Sequence, residues 1–429
     1  MTGTANGSIR GAARAPRFLS AAAACAIAAV VAPGLAALPL GAPGAAAVLP
    51  PLALRARSAI LVDQATGRVL YERNADLELP PASLAKLMTL HLVYQKLAER
   101  AINRDDVVWF GPDAYARHQQ PGSSLMALEP GQIVTVGELM KGAAIQSGND
   151  AAMALAEFVA GDVGVFTGWM NEENRFLGYR ASRYTDPAGV GPGSLVSARE
   201  FAEISRRYIA LHPESLDELH SLPEFEYPQA HNLPEGAEPL PQPAVTYNHN
   251  RLVRGFGVDG LKTGRYDDEN FTLAITAQRG GLRLVGVLLG VPGATLGEGS
   301  LRRSQDGLAL LSWGFRNFAV VEAAVPALGS LRVWKGELAE IPLAGPVAPR
   351  VAVRPMEAAT LEAVVEALSS LVAPVRRGQK VGELFYRSGG REVARFDLTA
   401  AADVEPAGLL KRVWDSVRMG IGRLLGSTV

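Results

Sequence analysis

Two adjacent prolines stand directly before a segment with helical periodicity, at residues 80–89. Proline cannot sit inside a helix but suits its first turn, so Pro80 and Pro81 fix where this helix can begin. Apolar residues then recur at spacings of three and four between Leu84 and Leu92. The pattern predicts a helix whose start and register are both defined.

The start of that helix carries Ser83 and Lys86 in the pattern S-x-x-K. Residues three apart on a helix share a face, so the Lys86 amine can reach the Ser83 hydroxyl. Ser83 also lies in the first turn, where unpaired backbone N–H groups favour a developing negative charge. A serine needs a nearby base to become a nucleophile, and a lysine is a base only if its pKa is lowered. The pair is therefore a candidate nucleophile and base, although the pattern alone is common.

Composition excludes several classes of function. The chain has 429 residues, of which 48% are hydrophobic and 20% are charged, as is typical of a globular protein with two or three domains. A formal net charge of −1 gives no basis for a nucleic-acid partner. The single cysteine, Cys25, lies in the N-terminal apolar stretch, so a chain that lost this stretch would have no thiol chemistry. The six histidines show no close pairing of the kind that binds metals, so we expect no metal and no other cofactor.

The first 47 residues have the pattern of a secretory signal. Three arginines precede an apolar run at residues 18–31, and small residues end the segment at Ala47. Pro33 and Gly34 interrupt the run before the roughly 20 apolar residues of a membrane span accumulate, which favours cleavage over an anchor. We therefore expect the mature chain to act outside the cytoplasmic membrane.

Periodicity divides the next 270 residues, roughly, into strands and helices. Strands are predicted at residues 58–63, 69–72, 257–263, 271–278 and 282–289, with shorter candidates at 107–110 and 133–134. Helices are predicted at residues 137–159, 166–177, 197–209 and 301–317. A polar turn at 146–150 interrupts the first of these helices, and Ser197 with Glu200 is a typical helix start.

Two regions follow a different pattern. Residues 222–243 are rich in proline and glutamate and are predicted to form an exposed excursion. Beyond about Val320 the chain consists of short β-type segments, so we expect a domain boundary near residues 318–324.

Two further motifs follow the S-x-x-K pair in the chain. Residues 147–149 form an S-x-N motif inside the predicted turn, and residues 262–264 form a K-T-G motif near the end of a predicted strand. Each triplet alone is a weak pattern. The ordered set, in a chain with a secretory signal, is specific.

In order and spacing the three motifs resemble those of serine penicillin-binding proteins and β-lactamases. Further stretches make nearly all of the chain after the signal similar to low-molecular-mass D-alanyl-D-alanine carboxypeptidases; these are residues 122–124, 131–152, 170–178 and 310–315. The resemblance implies an α+β fold, in which an antiparallel sheet with flanking helices and a helical lobe hold the site between them. It also implies a β-rich C-terminal domain.

These expectations divide the chain into four parts. They are a signal peptide at 1–47, a transpeptidase-like catalytic domain at 48–320, a small β-rich domain at 321–405 and an amphipathic helix at 406–429.

The resemblance also implies a role for each motif residue. Ser83 would attack the carbonyl between the last two D-alanines of a peptidoglycan stem peptide, and Lys86 would accept the serine proton. Ser147 would relay a proton to the leaving amine, and Asn149 would orient Lys86 and the substrate amide. Lys262 would supply the positive potential that keeps Lys86 neutral and would hold Ser147.

Recognition of the substrate carboxylate is expected from Thr263 and from Arg303, which precedes Trp313 on a predicted helix as in the family. Arg302 is the alternative to Arg303.

The backbone N–H groups of Ser83 and Arg265 would form an oxyanion hole, which typically lowers the barrier by about 3–4 kcal/mol per donor. Arg265 stands where many relatives have histidine, a change that leaves its backbone role intact. Gly264 would let the substrate backbone lie against the strand.

The C-terminal tail has helical amphipathicity at residues 407–426. Its apolar face is formed by Leu410, Val413, Trp414, Val417, Ile421, Leu424 and Leu425. Basic residues lie mostly elsewhere, which suits a helix in the headgroup region of an anionic membrane. Gly420 and Gly422 each weaken a helix by about 1 kcal/mol, so the helix is expected to form only on binding. The alternative is a helix packed on its own β-rich domain.

We therefore predict an enzyme that removes the terminal D-alanine from peptidoglycan pentapeptides through a serine acyl-enzyme. β-Lactams would be covalent inhibitors, and the protein would lie in the periplasm, attached to the outer face of the inner membrane. Three alternatives share the motifs: a D,D-endopeptidase, a class A-like β-lactamase and a non-catalytic penicillin-binding module. The deacylating E-x-x-L-N loop of a β-lactamase is not found, and a non-catalytic module would normally have lost a catalytic residue.

Overall fold

A computed structural model describes residues 51–238, 244–253 and 255–424. The predicted signal at residues 1–47, with the single cysteine, lies outside the described residues. The last five residues of the predicted tail also lie outside them.

An antiparallel sheet is the centre of the first part of the chain. Seven strands form in the described residues before position 293: β1 (Ser58–Asp63), β2 (Val69–Arg73), β3 (Glu224–Glu226), β4 (Val245–Tyr247), β5 (Val258–Arg265), β6 (Phe271–Arg279) and β7 (Leu282–Val291). Five of them form one sheet in the order β2-β1-β7-β6-β5, and β3 pairs with β4 separately. All five strands of the main sheet that were predicted are confirmed, with bounds shifted by at most two residues.

Six α-helices form in the same described part of the chain: α1 (Lys86–Ala98), α2 (Val136–Lys141), α3 (Asn149–Ala160), α4 (Val163–Phe176), α5 (Ala198–Leu211) and α6 (Leu296–Asn317). The predicted capping at α5 is confirmed, because the Ser197 hydroxyl accepts a hydrogen bond from the Glu200 backbone N–H. Helices α5 and α6 pack on the sheet, whereas α3 packs against α1, α2 and α4. A shared apolar core joins this helical lobe to the sheet.

Two predictions from local pattern are wrong. Residues 107–110 and 133–134 form no strands, and only an isolated bridge joins Val107 to Thr135. The physical reason is visible at Trp109, whose side chain is 82% exposed and has no sheet to pack against. The exposed excursion predicted from residue 222 onward is also not fully exposed. Strand β3 pairs with β4, and Phe225 of β3 is buried.

The part of the chain after α6 is rich in β structure, as predicted. Its strands are β8 (Ala319–Glu322), β9 (Ser330–Trp334), β10 (Glu340–Ala344), β11 (Arg350–Val353), β12 (Leu361–Ala367), β13 (Ser370–Val372), β14 (Lys380–Ser388) and β15 (Arg391–Ala400). Six form a sheet in the order β12-β14-β15-β10-β9-β13, and β8 pairs with β11. The short helix α7 (Pro355–Ala358) follows β11 and carries Glu357, which pairs with Arg68 of the first part at 2.9 Å.

The described residues end in the helix α8 (Leu409–Leu424), so this part of the tail is helical without a membrane, in contrast to the expectation that it forms only on binding. The Asp415 carboxylate accepts a hydrogen bond from the Lys335 backbone N–H at 2.7 Å, and the Lys411 amine donates to the Gly336 carbonyl oxygen at 2.5 Å. An apolar stripe on another side of the helix faces solvent; it comprises Leu410, Val413, Trp414, Val417 and Ile421. The helix therefore contacts the β-rich part through polar groups and leaves the apolar stripe uncovered.

Among the described helices, none alone has both the length and the hydropathy of a membrane span. Only α3 and α4 taken together pass such a test, and they meet at an 87° bend.

Candidate active site

Ser83 lies in a tight 3₁₀ turn, Ala82–Ala85, that leads directly into α1. Ala82 has a left-handed backbone conformation with φ of 49°, which is unfavourable for alanine by about 1–3 kcal/mol. A hydrogen bond from the Thr272 hydroxyl on β6 to the Pro81 carbonyl oxygen, at 3.1 Å, fastens the turn to the sheet. The Ser83 side chain is 8% exposed and lines a cleft with a volume of about 930 Å³.

Lys86 is completely buried one turn after Ser83. Its Nζ lies 2.9 Å from Ser83 Oγ, 2.7 Å from Asn149 Oδ1 and 3.2 Å from the Ala188 carbonyl oxygen. Asn149 Oδ1 and the Ala188 oxygen can only accept hydrogen bonds. A neutral lysine amine has two N–H donors, so donating to these two oxygens leaves its lone pair for Ser83.

Burial lowers the pKa of Lys86 to about 7, although the Asp186 and Asp150 carboxylates favour its charged form and oppose this shift. Loss of hydration is thus the main cause of the lowered pKa of Lys86, and the expected contribution of Lys262 stays a prediction. A substantial fraction of Lys86 is therefore neutral at neutral pH.

Two buried carboxylates build the loops around Lys86, and neither was predicted. Asp186 accepts backbone N–H groups from Ala188, Gly189, Val190 and Gly191 at 2.6–3.3 Å, which aims the Ala188 carbonyl at Lys86. Gly189, with φ of +77°, passes so close to the Ala82 carbonyl that a side chain there would collide with it.

Asp150 orders a second loop of the cleft in the same way. It accepts backbone N–H groups from Met126, Ala127 and Leu128 at 2.8–3.0 Å, which holds the loop that continues from residues 120–124 into the lining of the cleft.

The S-x-N motif occupies a break between helices, as predicted. The π-helical segment Gly142–Gln146 continues from α2 and ends before Ser147, which has a left-handed backbone with φ of 61°, and Asn149 begins α3. This conformation turns the chain so that Ser147 and Asn149 both line the cleft beside Ser83. Strained backbone of this kind clusters at active sites and ligand-binding loops.

The K-T-G motif lies on β5, the edge strand of the sheet next to the Ser83 turn. A side-chain carbon at Gly264 would lie 3.0 Å from the Ser83 backbone nitrogen and 2.5 Å from Thr272 Oγ1. Glycine at this position is therefore required by packing of the strand against the nucleophile turn. Arg265 pairs with Asp268 at 2.7 Å, so its side chain is directed to the rim of the cleft.

Lys262 is buried on the same strand. Its Nζ donates a hydrogen bond to the Thr263 carbonyl oxygen at 3.1 Å. Within the described residues it forms no hydrogen bond with Ser147, which differs from the expectation. Burial lowers the pKa of Lys262 well below its usual value, and the charges of Lys86 and Arg303 act in the same direction. An interaction of Lys262 with Ser147 when substrate is bound stays a prediction.

The two candidate arginines on α6 differ in their surroundings. Arg302 pairs with Glu298 at 2.5 Å. Arg303 is 5% exposed, lines the cleft and donates to the Gly264 carbonyl oxygen at 3.0 Å. Its Nε is buried and has no hydrogen-bond partner among the described residues. Burial and the charge of Arg251 lower the pKa of Arg303 to about 10, so it stays charged at neutral pH.

The cleft is strongly biased in charge. The described residues that line it include Arg251, Arg265 and Arg303 but neither Asp nor Glu. Sequence inspection did not single out Arg251 or its neighbour His249. No group of three or more His, Cys, Asp or Glu side chains that could hold a metal ion occurs in the described residues. The cleft is thus arranged to receive an anionic ligand beside an activated serine.

Comparison with known proteins agrees with this geometry. Residues 45–293 match the model of the D-alanyl-D-alanine carboxypeptidase family, and residues 316–406 match that of the penicillin-binding protein 5 C-terminal domain. The chain is 35% identical to D-alanyl-D-alanine carboxypeptidase DacC of Escherichia coli (strain K12), over 87% of this chain and 90% of that protein.

Two solved structures are also similar. Penicillin-binding protein 5 from Haemophilus influenzae matches with a TM-score of 0.69 and 29% identity, covering 83% of this chain and 99% of that one. Penicillin-binding protein D2 from Listeria monocytogenes, solved in an ampicillin-bound form, matches with a TM-score of 0.52 and 26% identity, covering 62% and 100%. The α+β fold expected from sequence is confirmed, and the chain belongs to the D-alanyl-D-alanine carboxypeptidase family.

Proposed function

We propose that this protein is a serine-type carboxypeptidase that releases the terminal D-alanine from peptidoglycan pentapeptide stems. The observation that carries the proposal is the placement of Lys86 Nζ within 2.9 Å of Ser83 Oγ, under a cleft lined by arginines. An activated serine explains acyl transfer, and the positive cleft suits a substrate that ends in a carboxylate.

In the acylation step, the Ser83 oxygen attacks the carbonyl carbon of the penultimate D-alanine while neutral Lys86 takes the hydroxyl proton. Donation of the two Lys86 N–H groups to Asn149 and Ala188 holds the amine in place for this transfer. Ser147 passes its proton to the nitrogen of the leaving D-alanine and takes up the proton that Lys86 had accepted, so that Lys86 is neutral again. The C–N bond then breaks, and the rest of the peptide stays as an ester of Ser83.

The negative charge on the carbonyl oxygen is stabilised by the backbone N–H groups of Ser83 and Arg265. The close packing of Gly264 against the Ser83 nitrogen supports this pairing, since it places the edge strand beside the nucleophile turn. Thr263 and Arg303 bind the terminal carboxylate, and Lys262 adds positive potential beneath it. Arg303 is preferred to Arg302 because the latter is already paired with Glu298.

Water completes the reaction by attacking the ester carbonyl while neutral Lys86 accepts a proton from it. The bond between the acyl group and Ser83 Oγ then breaks, and Lys86 returns the proton to Ser83. A class A-like β-lactamase is disfavoured, because the described lining of the cleft offers no glutamate to activate that water. A non-catalytic module is disfavoured by the intact set of Ser83, Lys86, Ser147, Asn149 and Lys262. β-Lactams would acylate Ser83 by the same first step.

The test is to incubate the protein with a pentapeptide stem and, separately, with a cross-linked stem dimer. A carboxypeptidase releases free D-alanine from the first and leaves the cross-link of the second intact. Cleavage of the dimer without release of D-alanine would instead support the endopeptidase, and release of neither product would contradict the proposal.

The pKa of Lys86 predicts how acylation depends on pH. Only the neutral amine can accept the serine proton, so the second-order rate constant for acylation by penicillin should rise about tenfold per pH unit well below pH 7. It should level off above about pH 8. Stopped-flow measurement of acylation between pH 5 and 9 checks this, and a rate independent of pH over that range would contradict it.

We also propose that the domain limits are those expected from sequence, with a catalytic domain at 48–320 and a β-rich domain at 321–405. The first 47 residues would direct secretion into the periplasm. The final helix, at 406–429, would attach the protein to the outer face of the inner membrane through the uncovered apolar stripe of α8.

Membrane attachment through the apolar stripe can be tested by flotation of the protein with vesicles that contain anionic lipid. The double variant Val413→Asn, Trp414→Ser removes two exposed apolar side chains but leaves the contacts of Asp415 and Lys411 with the β-rich part. We expect the unaltered protein to float with the vesicles and the variant to lose at least about tenfold in vesicle binding. Equal flotation of the two proteins would remove the proposal.

A further inference from the structure

The segment between β4 and β5 alternates inward and outward side chains at residues 248–251. Asn248 and Asn250 are buried and fully engaged. Asn248 donates to the His220 and Leu222 carbonyl oxygens at 3.1 and 2.9 Å, and its own oxygen accepts the Asn250 backbone N–H at 2.8 Å.

Asn250 continues this anchoring toward the K-T-G strand. Its side chain donates to the Gly260 carbonyl oxygen at 3.1 Å, two residues before Lys262. The segment is therefore fixed to β5 by its two asparagines, and the alternate residues His249 and Arg251 are presented to the cleft. Buried hydrogen bonds therefore fix the backbone on which Arg251 stands, whereas an arginine on a free surface loop would have no such support.

Arg251 has no carboxylate or carbonyl partner within the described parts of the chain, although it is exposed to the cleft. Nearly every other arginine around the site has such a partner: Arg265 pairs with Asp268, and Arg302 pairs with Glu298. The nearest comparable group is Arg303, whose buried Nε is also unpartnered. Burial and the positive charge of Arg251 together lower the pKa of Arg303.

Two guanidinium groups facing one cleft without an acid repel each other in the free protein. A carboxylate placed between them would relieve this repulsion and would supply acceptors for both. We propose that Arg251 is a second arginine for the terminal carboxylate of the substrate, which is held between Arg251 and Arg303. On this assignment, which rests on the proposed function, Arg251 sets the preference for a free C-terminal carboxylate over an uncharged terminus.

His249, two residues before Arg251, also lines the cleft but does not compete for the carboxylate as a cation. Partial burial and the charges of Lys262 and Arg303 lower its pKa to about 4, so the ring is neutral at neutral pH. The cationic partner on this segment is therefore Arg251.

The experiment compares two peptides that both end in D-Ala-D-Ala, one with a free C-terminal carboxylate and one with a C-terminal carboxamide. Arg251→Gln should lower kcat/KM for the free acid by about tenfold to a hundredfold, because a charge-assisted hydrogen bond is lost. It should change kcat/KM for the amide by less than about threefold. Arg251→Lys should recover part of the preference, since it keeps the charge but not the planar fork.

Arg302→Gln is the matched control, because it removes the same charge from a position that pairs with Glu298. It should leave the acid-to-amide ratio unchanged. A thermal unfolding curve for each variant establishes that it is folded.

The inference is wrong if Arg251→Gln lowers kcat/KM equally for both peptides, or for neither. These results differ from failure of the proposed function, in which the unaltered protein would release no D-alanine from the free acid at all.

Discussion

Ser83→Ala is expected to reduce D-alanine release from a pentapeptide by at least about 10⁴-fold and to abolish covalent labelling by penicillin. The methyl group has no lone pair with which to attack the peptide carbonyl, and no other hydroxyl among the described residues forms a hydrogen bond with Lys86 Nζ. Release of D-alanine by a coupled assay and mass spectrometry of the intact protein measure the two effects.

The change should not disturb folding, because Ser83 is nearly buried and alanine occupies slightly less space. Its thermal unfolding midpoint should lie close to that of the unaltered protein. If a folded Ser83→Ala protein still gains the mass of penicillin, another residue is the nucleophile.

Lys86→Gln is expected to lower the rate of acylation by about 10²–10⁴-fold, the usual contribution of a general base. The glutamine amide can still donate to Asn149 and to the Ala188 carbonyl, but it cannot accept a proton from Ser83. Stopped-flow acylation by penicillin measures the loss.

The pH profile separates this effect from a structural one. The residual rate of Lys86→Gln should no longer rise with pH through about 7, because the group that titrates there has been removed. A profile that keeps its inflection near pH 7 would assign the titration to a group other than Lys86.

Local pattern was sufficient for the parts of the site that depend on near neighbours. The spacing of Ser83 and Lys86 predicted their contact, because a helical turn brings residues three apart together. The polar triplet at 147–149 predicted a break in a helix, and the structure has one there. The strands of the main sheet were equally visible, since their apolar runs are continuous and bounded by turn residues.

Contacts between distant segments could not be predicted in this way. The Ala188 carbonyl lies 102 positions from Lys86, and only the folding of its loop around Asp186 directs it there. Nothing in the local sequence distinguishes Asp186 from a solvated loop acid. Arg251 is similar, because its place in the cleft depends on the burial of Asn248 and Asn250 against other parts of the chain.

Short apolar segments were the least reliable guide to where strands form. Residues 107–110 have strand-like composition, but a strand needs a neighbour with free backbone groups, and here a single bridge is all that forms. Conversely, the pairing of β3 with β4 brings together segments of unremarkable composition.

The central claim is that a neutral Lys86 activates Ser83, and the most direct test is to locate the atom that penicillin modifies. The protein is trapped with penicillin at pH 8, digested, and its peptides are sequenced by tandem mass spectrometry. We predict that the adduct lies on Ser83 and that its yield at short times falls as the pH is lowered through about 7. An adduct on Ser147, Ser124 or another serine of the cleft would contradict the account.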